Sequence, residues 1–322
     1  MEYFVSSSPE VAIVGAGAIA PFHVAALRTA GFNVSHIAAR PGSQRALELA
    51  ARCGIQKVWA NAADLIASNA WDALVLASST ESIPDLLRLV LRQQRPCLVE
   101  KPVGFAAASI VEFAGHNHQV RVAYNRRFYA ATGAAREFAA AGRCLFRLEL
   151  PDSIEFSTSE MDGLRSVREN SVHGLDLLAH TLGRYKVEAR LDISEPRGRL
   201  AVVSTEAGHV GTIVLNWNCP ANFSLVLDRS PQRFELKPFE LGSTYEGMEV
   251  IGPCDDMPVR RYVPKLVHQV NSFPGPDGVK PGFLEQAQSL MSAVQRGEWD
   301  SRSATIDDAA FAADVARELT SE

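Results

Sequence analysis

A chain of 322 residues, 47% hydrophobic and 21% charged, is long enough for about two packed domains and has the make-up of an ordinary globular protein. Its net charge of −5, with no long basic or acidic block, argues against general binding to nucleic acid or to membrane surfaces. Five scattered cysteines (Cys53, Cys97, Cys144, Cys219, Cys254) without a CxxC pair suggest neither a disulfide framework nor a zinc site, and no metal is implied. MEYFVSSSPE is not a signal peptide and no run is long enough to span a bilayer, so a cytoplasmic protein is expected.

The first third alternates strand and helix signals. Val11 to Val14 is a continuous apolar run, as in a strand buried on both faces. Residues 18–30 follow with helical period, then Val34 to Ala39 as strand, 43–52 as helix and Val58-Trp59 as a short strand. Helix 61–68, strand 73–77, helix 82–94, strand 97–99, helix 106–115 and strand 120–123 complete the series. Six strands separated by helices predict a doubly wound parallel sheet over residues 1–123. Beyond residue 124 the pattern changes. Strands are expected at 144–150, 187–193, 199–204, 210–217, 222–228 and 233–237, with turns at EPRG, TEAGH and DRSPQ between them, and these imply a mostly antiparallel sheet. Two helices accompany it, one over roughly 168–182 and one bearing Phe283, Ala287, Leu290, Met291 and Val294 before Gly297. FPGPDGVKPG, 273–282, is a loop by composition. Residues 124–322 therefore read as a second, α+β domain.

In VAIVGAGAIA, the residues Gly15, Gly17 and Ala20 sit between the first strand and the first helix, the context a dinucleotide-binding turn requires. Gly15 permits the turn, Gly17 lets a pyrophosphate approach the backbone, and Ala20 allows close packing of helix on strand. Ala18 and Ile19 complete the loop, and the helix start offers free N–H groups to phosphate. After the second strand, Ala39 and Arg40 stand where an acid usually accepts from the adenosine 2′-hydroxyl, with Ser43 and Arg45 nearby. A 2′-phosphate pairing with Arg40 favours NADP(H), with NAD(H) possible. A further stretch, CLVEKPVG, puts Glu100, Lys101 and Pro102 at the end of a buried strand, where ligands bind in doubly wound sheets. Pro102 disposes Lys101 to an extended conformation, so its ammonium is aimed.

Together, Gly15-x-Gly17-x-x-Ala20 and Glu100-Lys101-Pro102 resemble the glucose–fructose oxidoreductase/inositol dehydrogenase family (Gfo/Idh/MocA). ASSTES from Ala77 sits where that family has ATPPSLH, with Ile83 at its histidine. AYNRRF at 123–128, ENSVHGLD at 169–176 and FLEQAQSLMSAVQRG also look like family segments. The resemblance implies a Rossmann domain joined to an open-sheet α+β domain, and a nicotinamide beside Lys101, with Ser78, Ser79, Glu100 and Asn125 at the cofactor. Lys101 would hydrogen-bond the reacting oxygen. Glu100 would anchor the turn or pair with Lys101.

On a helix over 169–182, Val172, Leu175, Leu178, Ala179 and Leu182 form an apolar stripe, and Glu169, His173, Asp176 and His180 gather on another face. Such a stripe by itself reads as solvated. The resemblance makes His173 the catalytic acid–base, with Glu169, in place of the family's aspartate, orienting it and Asp176 a second partner. RSVRENS replaces the family's usual glycine pair. His180 reads as structural. Arg127 follows a parallel strand at its ligand-binding end, and Arg165 and Arg168 precede the helix, placed for an anionic substrate. The function implied is hydride transfer between NAD(P) and a secondary alcohol or ketone of a sugar, sugar derivative or cyclitol. The alternatives open at this point are reduction of a non-sugar substrate, such as a diol or pigment, and an NAD(P)-binding sensor without catalysis. An uncovered sheet face suggests a homodimer or homotetramer.

Overall fold

Why the runs Val11 to Val14, Ala73 to Leu76 and Cys97 to Val99 are unbroken and apolar is plain from their placement. In the computed structural model, which describes residues 8–153, 165, 167–194, 197–274 and 278–321, the first six strands form one parallel sheet in the order β3-β2-β1-β4-β5-β6. These strands are β1 (Glu10–Val14), β2 (Asn33–Ala38), β3 (Lys57–Trp59), β4 (Ala73–Leu76), β5 (Cys97–Val99) and β6 (Val120–Val122). The residues Val11 to Val14 and Ala73 to Leu76 are wholly buried, as strands covered on both faces must be. The order reverses between β1 and β4, the crevice where doubly wound sheets take ligands. The helices between them are α1 (Ala20–Thr29), α2 (Gln44–Cys53), α3 (Ala62–Ala67), α4 (Ile83–Leu91) and α5 (Ala107–Val111). Local chemistry sets their ends: Ser43 caps α2 by accepting from Ala46 N–H, Asn61 caps α3 through Asp64 N–H, and Gly54 closes α2 in the left-handed region.

A second unit runs from Tyr129 to Phe273 and takes in residues 318–322. It holds α6 (Ala130–Ala140), β7 (Leu145–Glu149), a π-helical turn (Val167–Ser171) and α7 (Val172–Leu182). Seven strands follow: β8 (Tyr185–Ser194), β9 (Arg197–Thr205), β10 (Val210–Leu215), β11 (Ser224–Arg229), β12 (Gln232–Leu236), β13 (Leu241–Ile251) and β14 (Arg261–Asn271). The eight-stranded order is β14-β13-β12-β11-β7-β10-β9-β8, antiparallel except between β7 and β10. One face packs on the helices: Phe138 of α6 meets Phe234 of β12 with ring centroids 5.7 Å apart. Gly174 of α7 lies so close to Leu150 that an added Cβ would meet its Cδ2 at 2.4 Å. Elsewhere on the sheet Leu145, Leu191, Ile193 and Val210 are exposed. The strands β13 and β14 and the helix α6 were not expected from the sequence. At the sheet edge, β14 carries Pro264 and Lys265, residues that discourage further pairing and mask a strand pattern.

The chain then returns to the first unit, which comprises the chain up to Phe128 and residues Pro274–Arg317. There α8 (Phe283–Arg296) packs on α1, its Phe283, Ala287 and Leu290 joining Val24 and Leu27 in one buried core. The final helix, α9 (Ile306–Thr320), was also unexpected. A single boundary after residue 123 thus differs from the structure, in which Tyr124 to Phe128 and most of both last helices complete the first unit. Apolar period located α8 but not the unit against which its stripe would be buried. Residues 1–7, the EPRG turn at 195–196 and the loop at 275–277 lie outside the described residues.

Candidate active site

Register across the first sheet builds its ligand-facing rim. Val14 is paired with Leu76, Leu76 with Val99 and Val99 with Val122. The next residues, Gly15, Ala77, Glu100 and Ala123, therefore stand in a row. Backbone bonds tie the row together: Ala77 N–H to Val14 O at 2.7 Å, Glu100 N–H to Leu76 O at 2.8 Å and Ala123 N–H to Val99 O at 2.8 Å. Strands lie roughly 4.8 Å apart, so Glu100 stands two strands, about 10 Å, from Gly15.

The glycine loop fits a dinucleotide on its own geometry. Gly15 has φ +123°, and a Cβ there would strike Ala77 O at 2.0 Å. Gly17 is exposed, and a Cβ there would meet nothing within 4 Å. Ala18 is exposed, Ile19 half-buried and Ala20 fully buried. Helix α1 begins at Ala20 with no side-chain cap and with Pro21 in its first turn, leaving its N-terminal N–H groups to an anion. Beyond β2, Ala39 is half-buried and Arg40 exposed. Ser78 Oγ donates to Val14 O at 3.4 Å, while Ser79 and Ser82 hydroxyls are 3.2 Å apart.

Glu100 is held by a residue that sequence reasoning missed. His23 Nε2 lies 2.7 Å from Glu100 Oε1, with side chains 3% and 10% exposed. The second oxygen, Oε2, accepts from Lys101 N–H at 3.2 Å. His23 comes from α1, three residues after Ala20, and its ring also meets Phe283 at 4.8 Å. A histidine on the buried face of the helix after the glycine loop was the available signal. Lys101 is half-buried, and its bond to Pro102 is cis.

Asn125 is buried and donates from Nδ2 to Pro281 O at 3.0 Å. Arg127 is 6% exposed and pairs with Asp308 at 3.1 Å, which gives the expected substrate group an ionic partner inside its own unit. Burial pushes the Asp308 carboxyl up, but Arg127 and the Thr305 N–H and O–H donors outweigh it and hold it below the usual range.

The second unit carries the α7 group. The helix is not solvated along its titratable stripe: Asp176 is 2% exposed, and Glu169, His173 and His180 are half-buried. Glu169 lies in the π-helical turn, not in the α-helix expected, and accepts from Arg165 Nε at 2.7 Å. Arg168 donates to Thr320 Oγ1 at 3.2 Å. A second carboxylate unforeseen in the sequence, Asp152, braces this turn by accepting from Asn170 Nδ2 at 2.5 Å and from Ser171 Oγ. Tyr185 donates to Leu175 O, and its phenol is pushed well up by burial and then by Asp176.

A model of the Gfo/Idh/MocA oxidoreductase family, NAD-binding Rossmann fold, matches residues 10–125. Over those residues the chain carries the NAD-binding Rossmann fold of that family. No curated protein matches it in sequence. Among solved structures, this chain is similar to levoglucosan dehydrogenase in complex with NADH, at 14% identity over 97% of this chain and 96% of that one, TM-score 0.76. A putative myo-inositol dehydrogenase from Sinorhizobium meliloti gives 17% identity over 96% and 95%, TM-score 0.67. An oxidoreductase from Thermotoga maritima gives 15% over 97% and 96%, TM-score 0.74. At these identities the likeness is one of fold, and it extends through the second unit. Among the described residues no helix is long and apolar enough to cross a membrane, and no three His, Cys, Asp or Glu side chains are grouped to hold a metal.

Proposed function

We propose that this NAD-binding oxidoreductase transfers a hydride between the nicotinamide and a secondary alcohol or ketone of a sugar, sugar derivative or cyclitol, with NADP(H) favoured over NAD(H). The observation that carries the reading is the rim. Gly15, with the open Gly17 two residues on, and Glu100-Lys101 occupy one row at the strand ends, two strands apart. A dinucleotide whose pyrophosphate lies on the glycine loop and helix start thereby has Lys101 within its length. When bound, the nicotinamide supplies the hydride chemistry. The chain's own residues do the rest. Lys101 donates a hydrogen bond to the reacting oxygen, and His173 accepts or returns its proton. Glu169 and Asp176 orient that ring, and Ser78, Ser79 and Asn125 line the nicotinamide side. Arg165 and Arg127 are the weakest members of the set, since each has a carboxylate partner. The sugar class is supported by the names of the similar dehydrogenases.

The cofactor preference rests on Ala39 and Arg40, which offer no carboxylate against a 2′-phosphate. An assembly of two or four copies through the second sheet is supported by the exposed Leu145, Leu191, Ile193 and Val210. The test is a panel of sugars, sugar acids and cyclitols, assayed at 340 nm with each cofactor, beside Arg40→Ala. NADPH affinity should fall about tenfold in that variant, the scale of one charge-assisted contact, while NADH affinity holds. A native preference for NADH would overturn the cofactor choice. Turnover on diols or pigments alone would overturn the substrate class.

A further inference from the structure

The pair His23–Glu100 has two ends. One carboxylate oxygen meets the imidazole at 2.7 Å and the other takes the Lys101 amide at 3.2 Å. Both side chains are nearly sealed from water, so the contact is not screened. A buried carboxylate is costly unless each oxygen finds a donor. With Nε2 carrying the proton, His23 supplies one and Lys101 N–H the other. The histidine itself is fixed by position. Its backbone N–H donates to Ile19 O at 3.4 Å, in the glycine loop, and its ring is wedged by Phe283.

We propose that His23 is a positioning residue: by donating to Glu100 it holds the backbone of Lys101 in register with the glycine loop. The loop that takes the pyrophosphate and the lysine that meets the reacting oxygen are thus joined by one carboxylate, through hydrogen bonds rather than apolar packing. The proposal rests on the role given to Lys101 above, but its test needs no substrate.

The test is amide-resolved hydrogen exchange of the full chain, comparing Lys101 N–H with Leu74 to Leu76 in the adjacent strand. His23→Leu keeps an apolar side chain against Phe283 and loses the donor. His23→Gln loses the ring and keeps a donor able to reach the carboxylate. Lys101 exchange should rise about tenfold or more in His23→Leu relative to the reference amides, and stay within about threefold of native in His23→Gln, because a lost charged hydrogen bond is worth about that much opening. If His23→Leu does not fold, His23→Met, a more adaptable side chain equally without a donor, makes the same decision, and Lys101 exchange should again rise selectively. Unchanged Lys101 exchange in His23→Leu or in His23→Met overturns the proposal. So does His23→Gln performing no better than His23→Leu, which would make the histidine a packing residue. Failure of Lys101→Met to lower turnover would instead strike the proposed function and leave the exchange result standing.

Discussion

Substituting alanine at Gly15 and, separately, at Gly17 divides one loop into a folding requirement and a binding requirement. At Gly15 the new Cβ would sit 2.0 Å from Ala77 O and 2.4 Å from Ala77 C, far inside the roughly 3.5 Å of ordinary contact. Those atoms are backbone in a buried sheet, so no side chain can swing away. The φ of +123° adds about 1–3 kcal/mol for an L-residue. Relieving the overlap must also stretch the 2.7 Å bond from Ala77 N–H to Val14 O, worth about 1 kcal/mol. The total is at least about 3 kcal/mol, which lowers the melting midpoint of a unit this size by roughly 6–12 °C. At Gly17 a Cβ meets nothing within 4 Å, so stability should change by less than about 0.5 kcal/mol. The new methyl instead occupies the surface a pyrophosphate must approach. Overpacking of about 1–3 kcal/mol weakens the dinucleotide by roughly five- to 150-fold. Thermal denaturation and fluorescence titration with NADH and NADPH measure the two effects. Gly17→Ala binding both cofactors with native affinity would refute the placement of the phosphates, and a native midpoint in Gly15→Ala would refute the steric argument.

Lys101→Met, which keeps length and removes charge, should lower turnover at least about a hundredfold with NAD(P)H affinity nearly retained. Steady-state kinetics and the same titrations check it, and near-native turnover would remove Lys101 from the reacting oxygen. His173→Ala should cost on the order of 10²–10⁴ in turnover. Glu169→Gln should move the rising limb of the oxidation pH–rate profile to lower pH if the carboxylate supports the imidazolium. An unmoved limb would leave Glu169 as the partner of Arg165 alone. Arg127→Ala should destabilise the first unit toward the lower end of about 3–5 kcal/mol, because Asp308 keeps 29% exposure. Asp308 is a depressed carboxyl. Its stabilisation is present above the unfolded value near 3.9 and lost as pH falls through the lower folded value. Melting midpoints between about pH 2 and 7 should therefore fall less steeply on the acid side in Asp308→Asn, and parallel curves would refute the pairing's weight.

Much of the first unit was legible because its signals are local. Unbroken apolar runs marked β1, β4 and β5, short apolar stretches between helical segments marked β2, β3 and β6, and Gly15, Gly17 and Glu100-Lys101-Pro102 marked the rim. The second unit was less so. The helix α6, AATGAAREFAA, is built mostly of small residues that give little period. The hairpin of β13 and β14 is largely exposed, so it lacks the alternation by which a half-buried strand is read. Spacing placed Glu169 one turn before His173, but the π-helical turn at 167–171 changes the pitch there. Arg127 read as a ligand group because Asp308, its partner, is 181 residues away. The same distance problem hid His23 from Glu100, 77 residues on.

The return of the chain to its first unit has a consequence for how the protein is made. On the ribosome, β1 through β6 emerge long before Phe283, Ala287 and Leu290, which fill the same core as Val24 and Leu27. A nascent chain that has reached Phe128 holds a complete sheet but leaves the α1 surface bare of its covering helix, and apolar surface in that state invites misassembly. All of Tyr129 to Phe273 must be synthesised before the gap can close. The excised piece ending at Phe128 should accordingly be a poor autonomous domain, prone to chaperone capture, whereas one that splices 274–317 directly onto 128 should refold by itself.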